Sequence, residues 1–255
     1  MAGLENPLKT KLDAGEAVLG TMITMPSPGL AQLLAAAGFD WLAFDMEHGP
    51  MTIESVHAMI NATAASTCVP LVRLPATTPW LAKTALDAGA LGLLFPMVET
   101  PEAAKEAVAA ATYPPKGRRG FGPFHAPERW GVSMLDYARD ADAAMLKVLF
   151  IEHIDAIARI DEILAVDGID VAFVAPFDLS QSLGKPGDFD DPDFAAALTR
   201  AEAAVLQSKA KLGGLATTAD QGRTMLERGY KFLMLGFDGL IIDGAARAIL
   251  DGVKS

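Results

Sequence analysis

Eight short apolar runs separated by alanine-rich helical stretches predict an α/β protein, a (β/α)8 TIM barrel in a single domain spanning 1–255. A second observation agrees. Most of the runs are apolar throughout rather than alternating, the pattern of parallel strands covered by helices outside and packed side chains within. The third is size: 255 residues allow either two domains or one large barrel, and no shift in composition marks a second domain.

The runs, in order, are 17–24, 41–45, 70–74, 92–96, 147–151, 171–175, 211–216 and 232–235. Helices between them carry ordinary start signals, with a hydroxyl at the N-cap and proline at the first helical position in Thr78-Pro79 and Thr100-Pro101. Gly38, Gly89, Gly168 and Gly229 each stand shortly before the next run, where a left-handed C-cap turns the chain back. Between 112 and 142 the alternation fails. The stretch 113–123 is too rich in turn formers for a helix and predicts a long connection of the lid or binding-loop kind, making Arg118, Arg119, His125 and Trp130 candidates to reach the site. The segment 240–253 reads as a terminal helix.

Composition narrows the function classes. With 51% hydrophobic, 21% charged and 7% aromatic residues, the chain is neither disordered, collagenous nor a disulfide scaffold. The one cysteine, Cys68, has no partner for an internal bridge, and charges at Glu5, Lys9, Lys11 and Asp13 argue against a cleavable leader, so a reducing cytoplasmic setting is expected. No apolar run approaches the roughly 18 residues of a membrane span. With 21 basic against 32 acidic side chains, a net charge of −11 disfavours nucleic acid and suits a cation or a small substrate.

In parallel barrels the chemistry gathers at the C-terminal strand ends. Four runs end in charge: Asp45-Met46-Glu47-His48, Arg73, Glu152-His153, and Asp178 after Ala175-Pro176-Phe177. Glu152 and Asp178 follow sequential strands about 4.8 Å apart, so their carboxylates can converge on one divalent ion such as Mg²⁺ or Mn²⁺. A local reading is also open, with Glu152 capping a helix and Asp178 starting a turn. Arg73, in an apolar strand, must face an anion: either a substrate oxygen or a structural ion pair with Asp45 or Glu47. His48 lies three residues after Asp45, whose carboxylate can fix one ring nitrogen and leave the other as acid or base; an ordinary polar contact in the loop is the other reading. His57 is expected to face solvent from a helix, and His153 to orient its neighbour. Gly213-Gly214 and Gly236 offer only a weak phosphate-site pattern, and Lys147 and Lys211 begin their strands, away from the site, which disfavours a Schiff base.

The assembly resembles the HpcH/HpaI aldolase family, the metal-dependent class II pyruvate aldolases. The likeness rests on Asn6-Pro7-Leu8, Phe44-Asp45-Met46-Glu47-His48-Gly49-Pro50, Pro70-Leu71-Val72-Arg73, Pro96-Met97-Val98-Glu99, Arg118-Arg119-Gly120, Ala175-Pro176-Phe177-Asp178-Leu179-Ser180 and Leu183-Gly184-Lys185-Pro186-Gly187. It implies a carbon–carbon lyase that cleaves 4-hydroxy-2-oxo acids to pyruvate, or a related 2-oxo acid such as hydroxypyruvate, and an aldehyde. Glu152 and Asp178 then ligate Mg²⁺, Mn²⁺ or Co²⁺, Arg73 contacts the keto or enolate oxygen, and His48 with Asp45 handles the proton. Backbone N–H groups of Phe177 and Asp178 receive the substrate carboxylate. A homo-oligomer, trimer or hexamer, is implied too, with 240–253 exchanged between subunits. Met46, Gly49, Phe150 and Ala175 depart from the family's usual pattern, and Phe150 with Phe177 adds apolar surface near the metal, which implies a preference for small or moderately apolar aldehydes.

Two rival readings stand beside this one. A citrate-lyase or malyl-coenzyme A-lyase activity uses similar metal chemistry but needs a basic grip on a long carrier, for which only Arg118-Arg119 is available. A non-catalytic barrel binding a 2-oxo acid predicts affinity without turnover.

Overall fold

A computed structural model of the chain describes residues 3–254; positions 1, 2 and 255 of the expected 1–255 domain lie outside the described residues. The elements run α1 (Pro7–Asp13), β1 (Val18–Ile23), α2 (Pro28–Ala36), β2 (Trp41–Asp45), α3 (Ile53–Ala62), β3 (Val69–Arg73), α4 (Pro79–Asp87), β4 (Gly92–Phe95) and α5 (Pro101–Ala110). They continue as α6 (Ala126–Trp130), α7 (Met134–Ala144), β5 (Leu146–Ile151), α8 (Ile154–Ala158), α9 (Ile160–Leu164), β6 (Val171–Val174), α10 (Pro176–Ser182), α11 (Pro192–Leu206), β7 (Lys211–Ala216), α12 (Ala219–Glu227), β8 (Phe232–Phe237) and α13 (Asp238–Lys254). All eight strands pair in parallel and in chain order, and β8 closes on β1. Each expected run became a strand, with ends shifted by at most two residues.

The local reasons match the sequence signals. Thr78 and Thr100 accept the Leu81 and Ala103 N–H groups at the starts of α4 and α5, and Gly38, Gly89, Gly168 and Gly229 all have left-handed φ. Asn6 caps α1 and donates from Nδ2 to Leu91 O (3.0 Å) and Ala144 O (2.8 Å), so α1 is tied to the residue before β4 and to the C-terminus of α7 ahead of β5.

An aromatic column fills the barrel. Trp41 stacks on Phe232 (4.3 Å between centroids), Phe232 meets the edge of Phe173, and Phe173 stacks on Phe150 at 4.5 Å. Gly20 makes room for it, because a Cβ there would fall 2.0 Å from the Trp41 ring. The guanidinium of Arg73 lies over Phe150, 5.8 Å from its centroid. Phe150 is therefore buried floor rather than open apolar wall, which corrects the expectation that it widens an acceptor pocket; only Phe177 is exposed.

The long connection also differs from expectation. Its first part is irregular, but 126–144 forms α6 and α7, the latter capped by Ser133. It packs against the C-terminal ends of α3 and α4, beside the strand starts and away from the site. Arg119 is buried between Tyr113 and Tyr137 and paired with Asp87 at 2.7 Å, Arg118 pairs with Glu106, and Trp130 Nε1 donates to Gly89 O at 3.0 Å. His125 lies against His57, whose Nδ1 contacts Ala88 O at 3.0 Å, so His57 is half-buried rather than solvent-facing.

Asp238 is buried and ties the end of β8 to the loop after β1, accepting the Thr24 N–H (3.0 Å), Thr24 Oγ1–H (2.8 Å) and Met25 N–H (2.9 Å). Beyond it α13 leaves the barrel, with Ile242, Ile249, Leu250 and Val253 exposed. No helix among the described residues is long and apolar enough to cross a membrane.

Candidate active site

The C-terminal ends of β2, β3, β5 and β6 bring four carboxylates and one guanidinium together. Parallel register sets Asp45 directly beside Arg73. Arg73 grips it with both edges of its fork, Nε to Oδ1 at 2.9 Å and Nη2 to Oδ2 at 2.6 Å, while Nη1 lies 3.4 Å from Glu47 Oε2. Burial works against the Arg73 charge, but the hydrogen bonds and charge of Asp45, with Glu47 and Glu152, outweigh it and hold the guanidinium above its ordinary range. The ion-pair reading of Arg73 is thus realised, and its position at the mouth leaves the functional one intact.

This arrangement corrects the Asp45–His48 pair. Asp45 Oδ1 accepts the backbone N–H groups of Glu47 (3.0 Å) and His48 (3.2 Å), and its two oxygens are otherwise taken by Arg73. The His48 imidazole is 65% exposed and its Nε2 lies 3.9 Å from Glu47 Oε2 instead. Glu47, expected from the sequence only as a possible ion-pair partner of Arg73, faces the His48 ring as well. It is half-buried between Arg73 and His48, and burial first, with Asp45 and Asp178 adding to it, pushes its carboxyl up against the opposing effects of Arg73 and His48. The signal was present in the charged string that ends β2.

Glu152 is buried at the end of β5, where Oε1 accepts the Met97 N–H at 2.6 Å. Burial pushes its carboxyl up to about 7; the Met97 bond and Arg73 oppose this, and Asp178 and Glu47 add to it. Asp178, exposed in the first turn of α10, is near enough for its charge to act on both Glu152 and Glu47. Phe177 and Asp178 stand in that same turn, where backbone N–H groups have no preceding intrahelical carbonyl. A buried carboxylate with one neutral donor on it, in a site of four carboxylates and one guanidinium, fits an oxygen-ligated divalent cation.

Glu99, His153 and Asp155 form a second group on the rim, each offering a donor atom within 4.8 Å of the others. There His153 Nδ1 accepts the Asp155 N–H at 3.2 Å and caps α8, so His153 serves its own helix rather than Glu152.

Comparison with known proteins agrees with this geometry. The family model of HpcH/HpaI aldolase/citrate lyase matches residues 21–243. A hydroxypyruvate/pyruvate aldolase of Roseovarius nubinhibens is 37% identical, over 96% of this chain and 95% of its own length. A 2-keto-3-deoxy-L-rhamnonate aldolase of Escherichia coli is 34% identical, over 99% and 94%. The crystal structure of an HpcH/HpaI aldolase/citrate lyase family protein from Burkholderia cenocepacia superposes with a TM-score of 0.92 at 36% identity, covering 98% of this chain and 100% of that one. With barrel, strand-end carboxylates and full-length likeness in agreement, the chain belongs to the HpcH/HpaI aldolase/citrate lyase family and is a carbon–carbon lyase of the aldolase type.

Proposed function

We propose that the chain, acting as one domain over 1–255, is a divalent-metal-dependent aldolase that reversibly cleaves 4-hydroxy-2-oxo acids to an aldehyde and pyruvate or a related 2-oxo acid such as hydroxypyruvate. The observation that carries this is Glu152, a buried carboxylate beside Asp178 with no ammonium or guanidinium bonded to it among the described residues. Glu152 and Asp178 would hold Mg²⁺, Mn²⁺ or Co²⁺. When bound, the cation supplies Lewis-acid polarisation of the substrate's keto oxygen.

The chain's own groups account for the rest. Backbone N–H groups of Phe177 and Asp178 receive the substrate carboxylate. Arg73, fixed by Asp45, stabilises the enolate oxygen without taking part in proton transfer. His48 carries the proton that leaves or returns at the aldehyde end, oriented by Glu47 in place of Asp45. A preference for small or moderately apolar aldehydes is part of the same reading, with Phe177 exposed beside Asp178 in the first turn of α10.

A coenzyme A-type carrier is disfavoured because Arg118 and Arg119 pair with Glu106 and Asp87 away from the site. The apolar residues exposed on α13 support its exchange between subunits of a homo-oligomer, a trimer or hexamer, and the lone buried Cys68 suits a reducing, cytoplasmic setting. The test is pyruvate release from a panel of neutral and acidic 4-hydroxy-2-oxo acids by wild type, Glu152→Gln and Asp178→Asn. Metal-dependent release by wild type alone, fastest on neutral substrates, is expected. Much faster cleavage of acidic substrates overturns the acceptor assignment, and activity in both variants overturns the metal assignment.

A further inference from the structure

Met97 is the one non-glycine residue with left-handed backbone among the described residues, at φ 53°. That region costs an L-residue with a long side chain about 1–2 kcal/mol relative to right-handed backbone, so something around it must impose the conformation. Its own side chain does not, being 52% exposed. The neighbours do: Pro96 and Val98 are buried on either side, pinning the chain as it leaves β4. Held so, the Met97 N–H points at Glu152 and donates to Oε1 at 2.6 Å, the one hydrogen bond that this carboxylate accepts among the described residues. A short bond from an amide to a carboxylate fixes the orientation of the acid.

We propose that Met97 is a positioning residue: its left-handed backbone holds Glu152 by one oxygen and so presents the other, Oε2, as the donor to the divalent cation. The inference rests on the metal reading above and adds the device that orients the ligand. It assigns the role to the backbone of Met97 and none to its thioether, and this makes it separable from a specificity role for the same side chain. Glycine and asparagine tolerate left-handed backbone; β-branched residues do not.

The experiment strips wild type, Met97→Gly, Met97→Asn, Met97→Val and Glu152→Gln of metal, confirms cooperative melting of each, and titrates them with Mn²⁺, following the free ion by electron paramagnetic resonance. Met97→Gly and Met97→Asn are expected to bind within about threefold of wild type and Met97→Val about tenfold or more weaker. At saturating Mn²⁺ the turnover of Met97→Val should return to near the wild-type value, since the variant changes how the ligand is held and not the reacting groups. Met97→Thr gives the same reading if Met97→Val does not melt cooperatively. Equal weakening in Met97→Gly and Met97→Val places the role in the side chain and overturns the inference, as does equal affinity in all four Met97 forms. If wild type binds no more Mn²⁺ than Glu152→Gln, the metal reading falls and this inference with it; wild-type binding with a flat Met97 series overturns this one alone.

Discussion

Asp45 and Arg73 face each other in register on adjacent strands and join through two parallel hydrogen bonds of 2.9 and 2.6 Å. The pair does two things at once. It keeps a guanidinium charged at the mouth of an apolar barrel, and it withdraws Asp45 from His48, whose ring turns to Glu47.

Cutting that pair should therefore cost both stability and turnover. For Asp45→Asn we expect a loss of about 3 kcal/mol in urea denaturation, because the guanidinium loses its buried countercharge and one of its two acceptors and keeps Glu47, at 3.4 Å, as its ionic partner, with turnover down about 100-fold. Arg73→Lys should lower turnover comparably while Mn²⁺ binding stays near wild type, since a point charge lacks the fork. Unchanged turnover in either variant removes Arg73 from the reaction.

The metal-free protein should lose stability as pH rises through neutrality. Glu152 moves from an ordinary 4.5 in the unfolded chain to about 7 in the fold, so between those values the folded state holds the extra proton. More protons bound in the folded state means that its stability contribution is full below about pH 4.5 and is lost by about pH 7, an effect on the order of 3 kcal/mol. Denaturation of metal-free wild type and Glu152→Gln at pH 5 and 8 checks this: the variant should show the smaller drop, and equal drops contradict the assignment.

The aromatic column predicts a third result. Phe173 touches Phe150 and Phe232 and is buried, so Phe173→Ala should cost about 3–5 kcal/mol in denaturation and loosen the floor under Arg73. A loss below about 1 kcal/mol would mean that the column relaxes freely.

Charges placed on the exposed face of α13 test the exchanged helix. Ile249→Asp with Leu250→Asp should reduce the mass measured by light scattering to that of a monomer, with the barrel's circular dichroism retained. An unchanged mass puts the subunit contact elsewhere.

Much of this was legible in the sequence, for physical reasons. Strands buried on both faces are continuous apolar runs, so all eight could be placed, and barrel closure then puts Glu152 and Asp178 just beyond the C-terminal ends of the neighbouring strands β5 and β6. Other features resist such reading. An i,i+3 spacing allows Asp45 to bond either the ring of His48 or its backbone N–H, and only the competing guanidinium decides. The left-handed turn at Met97 leaves no mark in composition, because methionine is not a residue that favours it. The direction of the long connection was in the chain order all along: it follows α5 and precedes β5, and such connections lie at the strand starts. Its turn-rich opening breaks the helical pattern ahead of the Pro127 and Ser133 helix starts that come after.

Metal dependence is read out by assaying cleavage of a 4-hydroxy-2-oxo acid before and after chelation, with borohydride added in parallel. Activity should vanish with the chelator and return with Mn²⁺, Mg²⁺ or Co²⁺, and borohydride with pyruvate should leave the protein's mass unchanged. Cleavage that persists through chelation, or a pyruvate adduct fixed on a lysine, would contradict metal dependence.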